Sequence, residues 1–329
     1  MAGSSKKGAI KEIENVQVDG LVALKVIKHC QEEGSSSELV TGFLVGLVVG
    51  TTLEITNCFP LPKELDDQEE ETKYQVNILK KLRSINVDYH QVGWYQSTYL
   101  NSHINKEFLE SHVRYQQTIE ESIVLIYDPL RTANGVLSLK AFRLTDTIVE
   151  MVSRGDSFSP ESVQKAGLDH KDMLKELPVT IRNSRLMNAL LCELDTRDTQ
   201  PKKMDFLGLS SSQLLKKNMQ LLMESVETLQ QDNYRLIGYE KALAKQAQSR
   251  LAAFAKRKEE NARRAQQNEP LLPITKEAIE QELNLRPVNP PPRLDALLAG
   301  EQVELRCQQV TEIAGNSFGK LYLTEGLQQ

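Results

Sequence analysis

Residues 39–49, Leu-Val-Thr-Gly-Phe-Leu-Val-Gly-Leu-Val-Val, carry no charge at all. The run is too short, and with Gly42 and Gly46 too glycine-rich, to cross a membrane as a helix. It therefore reads as a strand buried on both faces, and such a strand needs structure packed above and below it. Gly50-Thr51-Thr52 turns the chain, residues 53–59 pair back as a hairpin, and Pro60 and Pro62 end the second strand.

Elements of both kinds surround this hairpin. Residues 16–18 alternate as a short strand, and Asp19 opens a helix whose apolar face holds Leu21, Val22, Leu24 and Ile27. Tyr74, Ile78, Leu79 and Leu82 recur at helical spacing, predicting a helix over 70–84. Residues 88–96 form the next strand. Phe108, Leu109, His112, Val113 and Gln116 mark a helix over 106–117. Residues 122–127 are a strand closed by Asp128-Pro129, and Asn134-Gly135 turns into its hairpin partner, 136–144. The pattern is α+β, a mixed sheet flanked by helices over residues 16–150. Residues 1–15 are polar and flexible.

An extension and connector follow over 151–211. Ser159-Pro160-Glu161 is a helix start, 178–182 a short strand, and Ser184 the cap of a helix over 185–194. From Gln213 the character changes. Leu215, Met219, Leu222, Val226 and Leu229 fall at alternating steps of four and three, and the seam continues through Leu236 and Leu243. One long helix over 212–268 is predicted. Its apolar seam calls for partner helices, in other chains, in a second copy, or folded back within this chain. A proline-rich linker, 269–293, holds a helical turn near 278–283 and the extended Asn289-Pro290-Pro291-Pro292. A final amphipathic helix, 294–329, is loosened by Gly315 and Gly319.

The net charge of −5 means the whole chain is not a polycation built for nucleic acid. Residues 245–264 hold seven basic and two acidic side chains, either a solvated helix end or a local contact to RNA or an acidic partner. Cys30, Cys58, Cys192 and Cys307 lie far apart, with no metal-finger spacing. No leader or membrane span is recognisable, so free buried thiols in a reducing, cytosolic or nuclear compartment are expected.

The stretch with chemical content is Val92-Gly93-Trp94-Tyr95-Gln96-Ser97-Thr98, which holds the single tryptophan and leads into the helix at Lys106. With Gly42-Phe43-Leu44-Val45-Gly46-Leu47 and residues 123–129, it resembles the MPN domain family. The active branch of that family comprises JAMM zinc isopeptidases. Their motif is Gly-Trp-Tyr followed by His-x-His, seven residues and Ser-x-x-Asp, with a glutamate on the earlier buried strand. Laid on this chain, the histidine positions fall at Gln96 and Thr98, the serine at Lys106, the aspartate at Leu109, and the glutamate near Leu39, one residue past Glu38. A catalytic zinc takes histidine nitrogens and carboxylates. Gln and Thr are weak neutral donors, and leucine cannot ligate. A one-residue shift would turn Glu38 to the other face of its strand. His90, His103 and His112 form no metal-binding pair, Ser97 has no histidine near it in sequence, and no phosphate loop is present. The expectation is no catalytic residue, no metal and no cofactor.

The likeness narrows further through Val18-Asp19-Gly20-Leu21-Val22, Leu53-Glu54-Ile55-Thr56-Asn57-Cys58-Phe59-Pro60, Gln96-Ser97-Thr98, Glu120-Glu121-Ser122, Tyr127-Asp128-Pro129 and Leu139-Lys140-Ala141. These resemble the family of H-type subunits of eukaryotic translation initiation factor 3, over nearly the whole chain. The resemblance implies a non-catalytic cytoplasmic scaffold that pairs its MPN domain with that of the F-type subunit. Its C-terminal helices would join a bundle with PCI-domain subunits, on the small (40S) ribosomal subunit, in 43S and 48S pre-initiation complexes. Leu215, Met219, Leu222, Val226, Leu229, Leu236 and Leu243 are the expected bundle contacts, with rRNA or mRNA contact as the other reading of the basic stretch and no membrane partner. Two alternatives stand beside it: an MPN-type metallo-isopeptidase or deubiquitinase, and an inactive MPN subunit of the proteasome lid or signalosome.

Overall fold

The computed structural model describes residues 13–33, 39–62, 68–133, 137–197, 212–266 and 287–328. Residues 1–12, Glu38, the Asn134-Gly135 turn, the end of the connector and the helical turn near 278–283 lie outside the described residues, while 13–15, expected in a flexible start, bury Ile13 and open β1.

Eight strands make one sheet: β1 (Asn15–Asp19), β2 (Thr41–Val49), β3 (Thr52–Pro60), β4 (Gln91–Ser97), β5 (Ile123–Tyr127), β6 (Leu139–Leu144), β7 (Leu174–Leu177) and β8 (Val179–Arg182). Their order is β7-β6-β5-β4-β2-β3-β1-β8. β2 pairs antiparallel with β3 and β4, β4 pairs parallel with β5, and β1 pairs parallel with both β3 and β8. β7 and β8 stand at opposite ends of that order, yet Pro178 alone separates them in the chain. The sheet therefore curls until its ends meet. Proline suits that corner because it has no ladder donor to lose, and its carbonyl still accepts from the Val16 N–H at 3.0 Å. Both of these strands come from the 151–211 extension and complete the sheet of the preceding domain.

β2 is buried on both faces, as its uncharged sequence requires. Phe43 and Val45 join one core cluster with Trp94, Phe108, Leu109, Val113, Val124, Ile126 and Phe142. Leu44 joins the other with Val16, Val22, Val26, Ile55, Tyr95, Ile123 and Leu125. The strict alternation breaks at Gly93, where the β2–β4 register shifts. Gly93 has φ +157°, and a Cβ there would lie 2.1 Å from the Ile123 carbonyl oxygen. Glycine at this position lets Val92 and Trp94, two residues apart, point into different cores.

The described helices are α1 (Gly20–Glu33), α2 (Gln68–Ser84), α3 (Lys106–Thr118), α4 (Pro129–Ala133), α5 (Asp146–Ser153), α6 (Pro160–Ala166), α7 (Arg185–Arg197), α8 (Ser212–Gln266) and α9 (Leu294–Gln328). α2 starts two residues before the predicted 70–84, and Glu69, Glu70 and Glu71 form its first turn, where carboxylates favour the helix dipole. α9 runs unbroken through Gly315 and Gly319. Each glycine disfavours the helix by about 1 kcal/mol, too little to end one of this length. Cys30 and Cys58 are buried, whereas Cys192 and Cys307 lie exposed on outward helix faces, against the expectation of four core thiols.

α8 and α9 pack side by side in opposite directions: Ser225 meets Gln302, and Arg306 donates to the Leu221 carbonyl and to Ser225. The buried line on α8 is polar, Asn218, Ser225 and Asp232, at heptad spacing. The predicted seam lies beside it. Leu215, Leu222, Leu229 and Leu236 are half-buried, while Met219, Val226 and Leu243 are exposed. So α9 covers part of the seam from within the chain. It also reaches the domain, placing Leu298 and Leu305 in the Trp94 core cluster. Among the described residues, no helix is long and apolar enough to cross a membrane.

Candidate functional site

β4, the loop after it and α3 carry four of the five positions at which the sequence predicts a degenerate metal centre. β4 ends in Gln96 and Ser97, and Thr98 follows; all three are buried. Ser97 is a structural tie: its N–H donates to the Val40 carbonyl and its hydroxyl accepts from the Val40 N–H, both at 2.8 Å. The Thr98 N–H donates to the Tyr127 carbonyl at 2.8 Å, fastening the loop to β5.

The Thr98 hydroxyl is engaged as well, 3.1 Å from Nδ1 of His103. Between them, Leu100 and Asn101 adopt left-handed backbone angles, φ +52° and +56°. Asparagine tolerates that conformation and leucine resists it by about 1–2 kcal/mol. Complete burial of the Leu100 side chain opposes the strain. α3 then starts at Asn105, whose side chain accepts from the Phe108 N–H at 2.7 Å.

The remaining positions separate. Lys106 is exposed and lies 3.8 Å from Glu110 on its own helix. Leu109, one turn later, points into the core between Phe108 and Val113. Leu39 is 43% exposed ahead of β2. The structure therefore gathers Gln96 and Thr98, and disperses Leu39, Lys106 and Leu109.

Two buried histidines flank the site. Trp94 Nε1 donates to Nδ1 of His112 at 3.1 Å, which leaves the proton of a neutral ring on Nε2. Burial, reinforced by the charge of Arg143, pushes His112 down to about 3. Burial, reinforced by Lys140, does the same to His103. Both are held neutral. Among the described residues, no group of three or more His, Cys, Asp or Glu side chains converges on one point.

What the sequence did not reveal is the cover. Asn101 Nδ2 donates to the Leu305 carbonyl at 3.5 Å and approaches Gln309 Oε1 at 3.4 Å. Arg131, at the start of α4, is ion-paired with Glu312. Gln302 donates to the Ile104 carbonyl, and Lys217 of α8 donates to the Tyr99 hydroxyl at 2.8 Å. A cavity of about 20 Å³ remains beneath, lined by Thr98, Asn101, His103, Arg131, Gln309 and Glu312 among others. That is room for a water, not for a peptide. These contacts join residues 118 to 208 positions apart through polar side chains, and no local pattern announces them. The left-handed Asn101 is the nearest thing to a signal.

Comparison with known proteins places this geometry. Residues 11–121 match the family model described as JAB1/Mov34/MPN/PAD-1 ubiquitin protease. Residues 132–329 match the model for the C-terminal region of eIF3h. The chain is 46% identical over 330 residues to the H subunit of eukaryotic translation initiation factor 3 from Nematostella vectensis, covering 99% of this chain and 97% of that one. It is 43% identical to the H-B form of that subunit from Danio rerio, covering 96% and 94%. It is 38% identical to the H subunit from Bombyx mori, covering 99% and 96%.

Proposed function

The chain belongs to the family of H subunits of eukaryotic translation initiation factor 3, and from that premise we propose that it is a non-catalytic scaffold of that factor. Its MPN domain pairs with that of the F-type subunit, and its long helices join the helices of the PCI-domain subunits. In that setting it supports assembly of the 43S and 48S pre-initiation complexes, mRNA recruitment and initiation on the small ribosomal subunit, in the cytoplasm.

The observation that carries the scaffold reading is the apolar surface left on the two long helices. On α8, Met219, Met223, Val226, Tyr234, Ile237, Leu243 and Leu251 are between 39% and 69% exposed. On α9, Phe318, Leu321, Tyr322 and Leu323 are between 48% and 75% exposed. An exposed apolar strip of this extent along a helix favours burial against further helices.

The absence of catalysis rests on donor chemistry. A catalytic zinc requires three good protein ligands and an open position for water. The positions matching the family's ligands hold Gln96, a Thr98 whose hydroxyl is bonded to His103, and a Leu109 built into the core. Rotating α3 to present another residue would unpack Phe108, Leu109 and Val113 together. These residues do not fit the metal of the active branch. Purified protein assayed against a ubiquitin conjugate tests this directly. No cleavage is expected with or without added zinc, and zinc-dependent turnover would restore the isopeptidase reading.

A further inference from the structure

The distal half of α8 sorts its cations into two groups, with Lys258, exposed about 100° outside the second group's arc, belonging to neither. Arg250, Arg257 and Arg264 recur every seven residues, and each is engaged: Arg264 pairs with Glu260 at 2.9 Å, and Arg250 and Arg257 also have partners. Lys241, Lys245, Lys256 and Arg263 are different. All four are exposed, and none makes a side-chain hydrogen bond or ion pair among the described residues.

At about 100° per residue, these four fall within an arc of roughly 60° on one side of the helix. At 1.5 Å per residue they span about 33 Å of its length. Ala252 lies on the same arc and Ser249 beside it, so little side-chain bulk stands between Lys245 and Lys256, whereas Glu259 stands between Lys256 and Arg263. Leu243 and Phe254 project from the opposite side. Glu259 lies at the edge of the stripe and is its nearest anionic neighbour.

We propose that the Lys241–Lys245–Lys256–Arg263 stripe is a docking face for the phosphate backbone of folded RNA. A thin, straight row of separated cations matches a linear polyanion of evenly repeated charge. The small residues between them allow a backbone to approach closely. No aromatic side chain lies on the stripe between Lys241 and Arg263, so bases are not stacked and binding is independent of sequence. Within the span of the stripe, Leu243 and Phe254 lie on the far side, away from any surface that the cations touch. The proposal rests on the scaffold reading for the source of that RNA, the small ribosomal subunit.

The test is binding of the full chain to an RNA duplex of about 20 base pairs, titrated between 50 and 200 mM salt. Four phosphate contacts predict a slope of about −3.6 for the logarithm of affinity against the logarithm of salt, a loss on the order of a hundredfold across that range. The quadruple variant K241Q/K245Q/K256Q/R263Q is expected to bind at least tenfold more weakly at low salt, with the slope nearly abolished. A control, K28Q/K73Q/K80Q/K81Q, removes the same charge elsewhere and is expected to bind as the parent does. Equal binding by the stripe variant, or equal loss in the control, would overturn the proposal. So would competition by polyglutamate or anionic vesicles as effective as RNA at matched charge. The same preparations are scored for co-purifying factor subunits. Subunits absent while RNA binding stays stripe-dependent would sink the scaffold reading and leave this one standing.

Discussion

The Thr98 hydroxyl lies 3.1 Å from Nδ1 of His103, inside a cavity roofed by the C-terminal helix. At a position that the sequence reading matches to a metal ligand, this chain places half of a buried hydrogen bond. Thr98→Val removes that half and leaves a buried imidazole nitrogen unsatisfied, at a cost of about 1–3 kcal/mol. Chemical denaturation should register the loss, while co-purifying subunits stay unchanged. A full-strength fold without the hydroxyl would mean the bond contributes nothing.

Acid should attack the same region. His103 and His112 are both held down at about 3 by burial, whereas an exposed histidine titrates near 6.5. A group with a depressed folded pKa contributes its stability above the unfolded value and loses it as pH falls towards the folded one. Stability is therefore expected to decline from about pH 6.5 downwards. His112→Phe should flatten part of that decline, at the expense of the Trp94 hydrogen bond. Melting curves of the two proteins between pH 7.5 and 4 compare them, and superimposable pH dependences would exclude His112 as a contributor.

The seat of the C-terminal helix has the opposite sign. Burial, then the neighbouring Glu304 charge, pushes the Glu301 carboxyl up to about 7, with Glu176 adding to the shift and His170 and Lys171 opposing it. A raised folded pKa favours the docked helix fully below the free carboxyl's value, and that contribution disappears as pH rises through about 7. Hydrogen exchange across residues 294–312 should quicken from pH 5.5 to 7.5, after correction for intrinsic rates. Glu301→Gln should remove the trend. A trend that survives in the variant belongs to another group.

Docking of that helix is also apolar. Leu298 and Leu305 are buried in the Trp94 cluster. Replacing either with alanine should cost about 2–5 kcal/mol. Because Arg306, in the next position along, reaches Leu221 and Ser225, protection in the first turns of α8 should fall with that of α9. Loss confined to α9 would show that the two helices do not open together.

The sequence was most informative where a residue's own neighbours determine its fate. Residues 39–49 have no charge and form the doubly buried β2. The apolar period from Leu215 onward predicts a long helix, and α8 is one. The burial of Leu109 beside Phe108 was legible in the helical spacing of its apolar neighbours. The closure of the sheet through Pro178 was not legible, because β7 and β8 are four residues each and take their partners from opposite ends of the order. The cover of α9 over Asn101 and Arg131 was hidden for the same reason. Its polar contacts cross some 200 residues and leave no periodic trace. The buried line of α8 was misplaced by one position, because Asn218, Ser225 and Asp232 are polar and hydrophobic patterning passes over them.

The central claim, an inactive domain that serves assembly, is tested most directly by recovering the intact chain from cells beside a variant carrying Met219→Gln, Val226→Gln, Phe318→Gln and Tyr322→Gln. These four side chains are exposed, so the variant should fold and melt as the parent does. The account predicts that the parent brings MPN- and PCI-domain subunits and small-subunit ribosomal proteins, with no stoichiometric zinc, and that the variant loses the PCI-domain subunits. A parent recovered alone with one zinc per chain, or a variant that retains every partner, would contradict it.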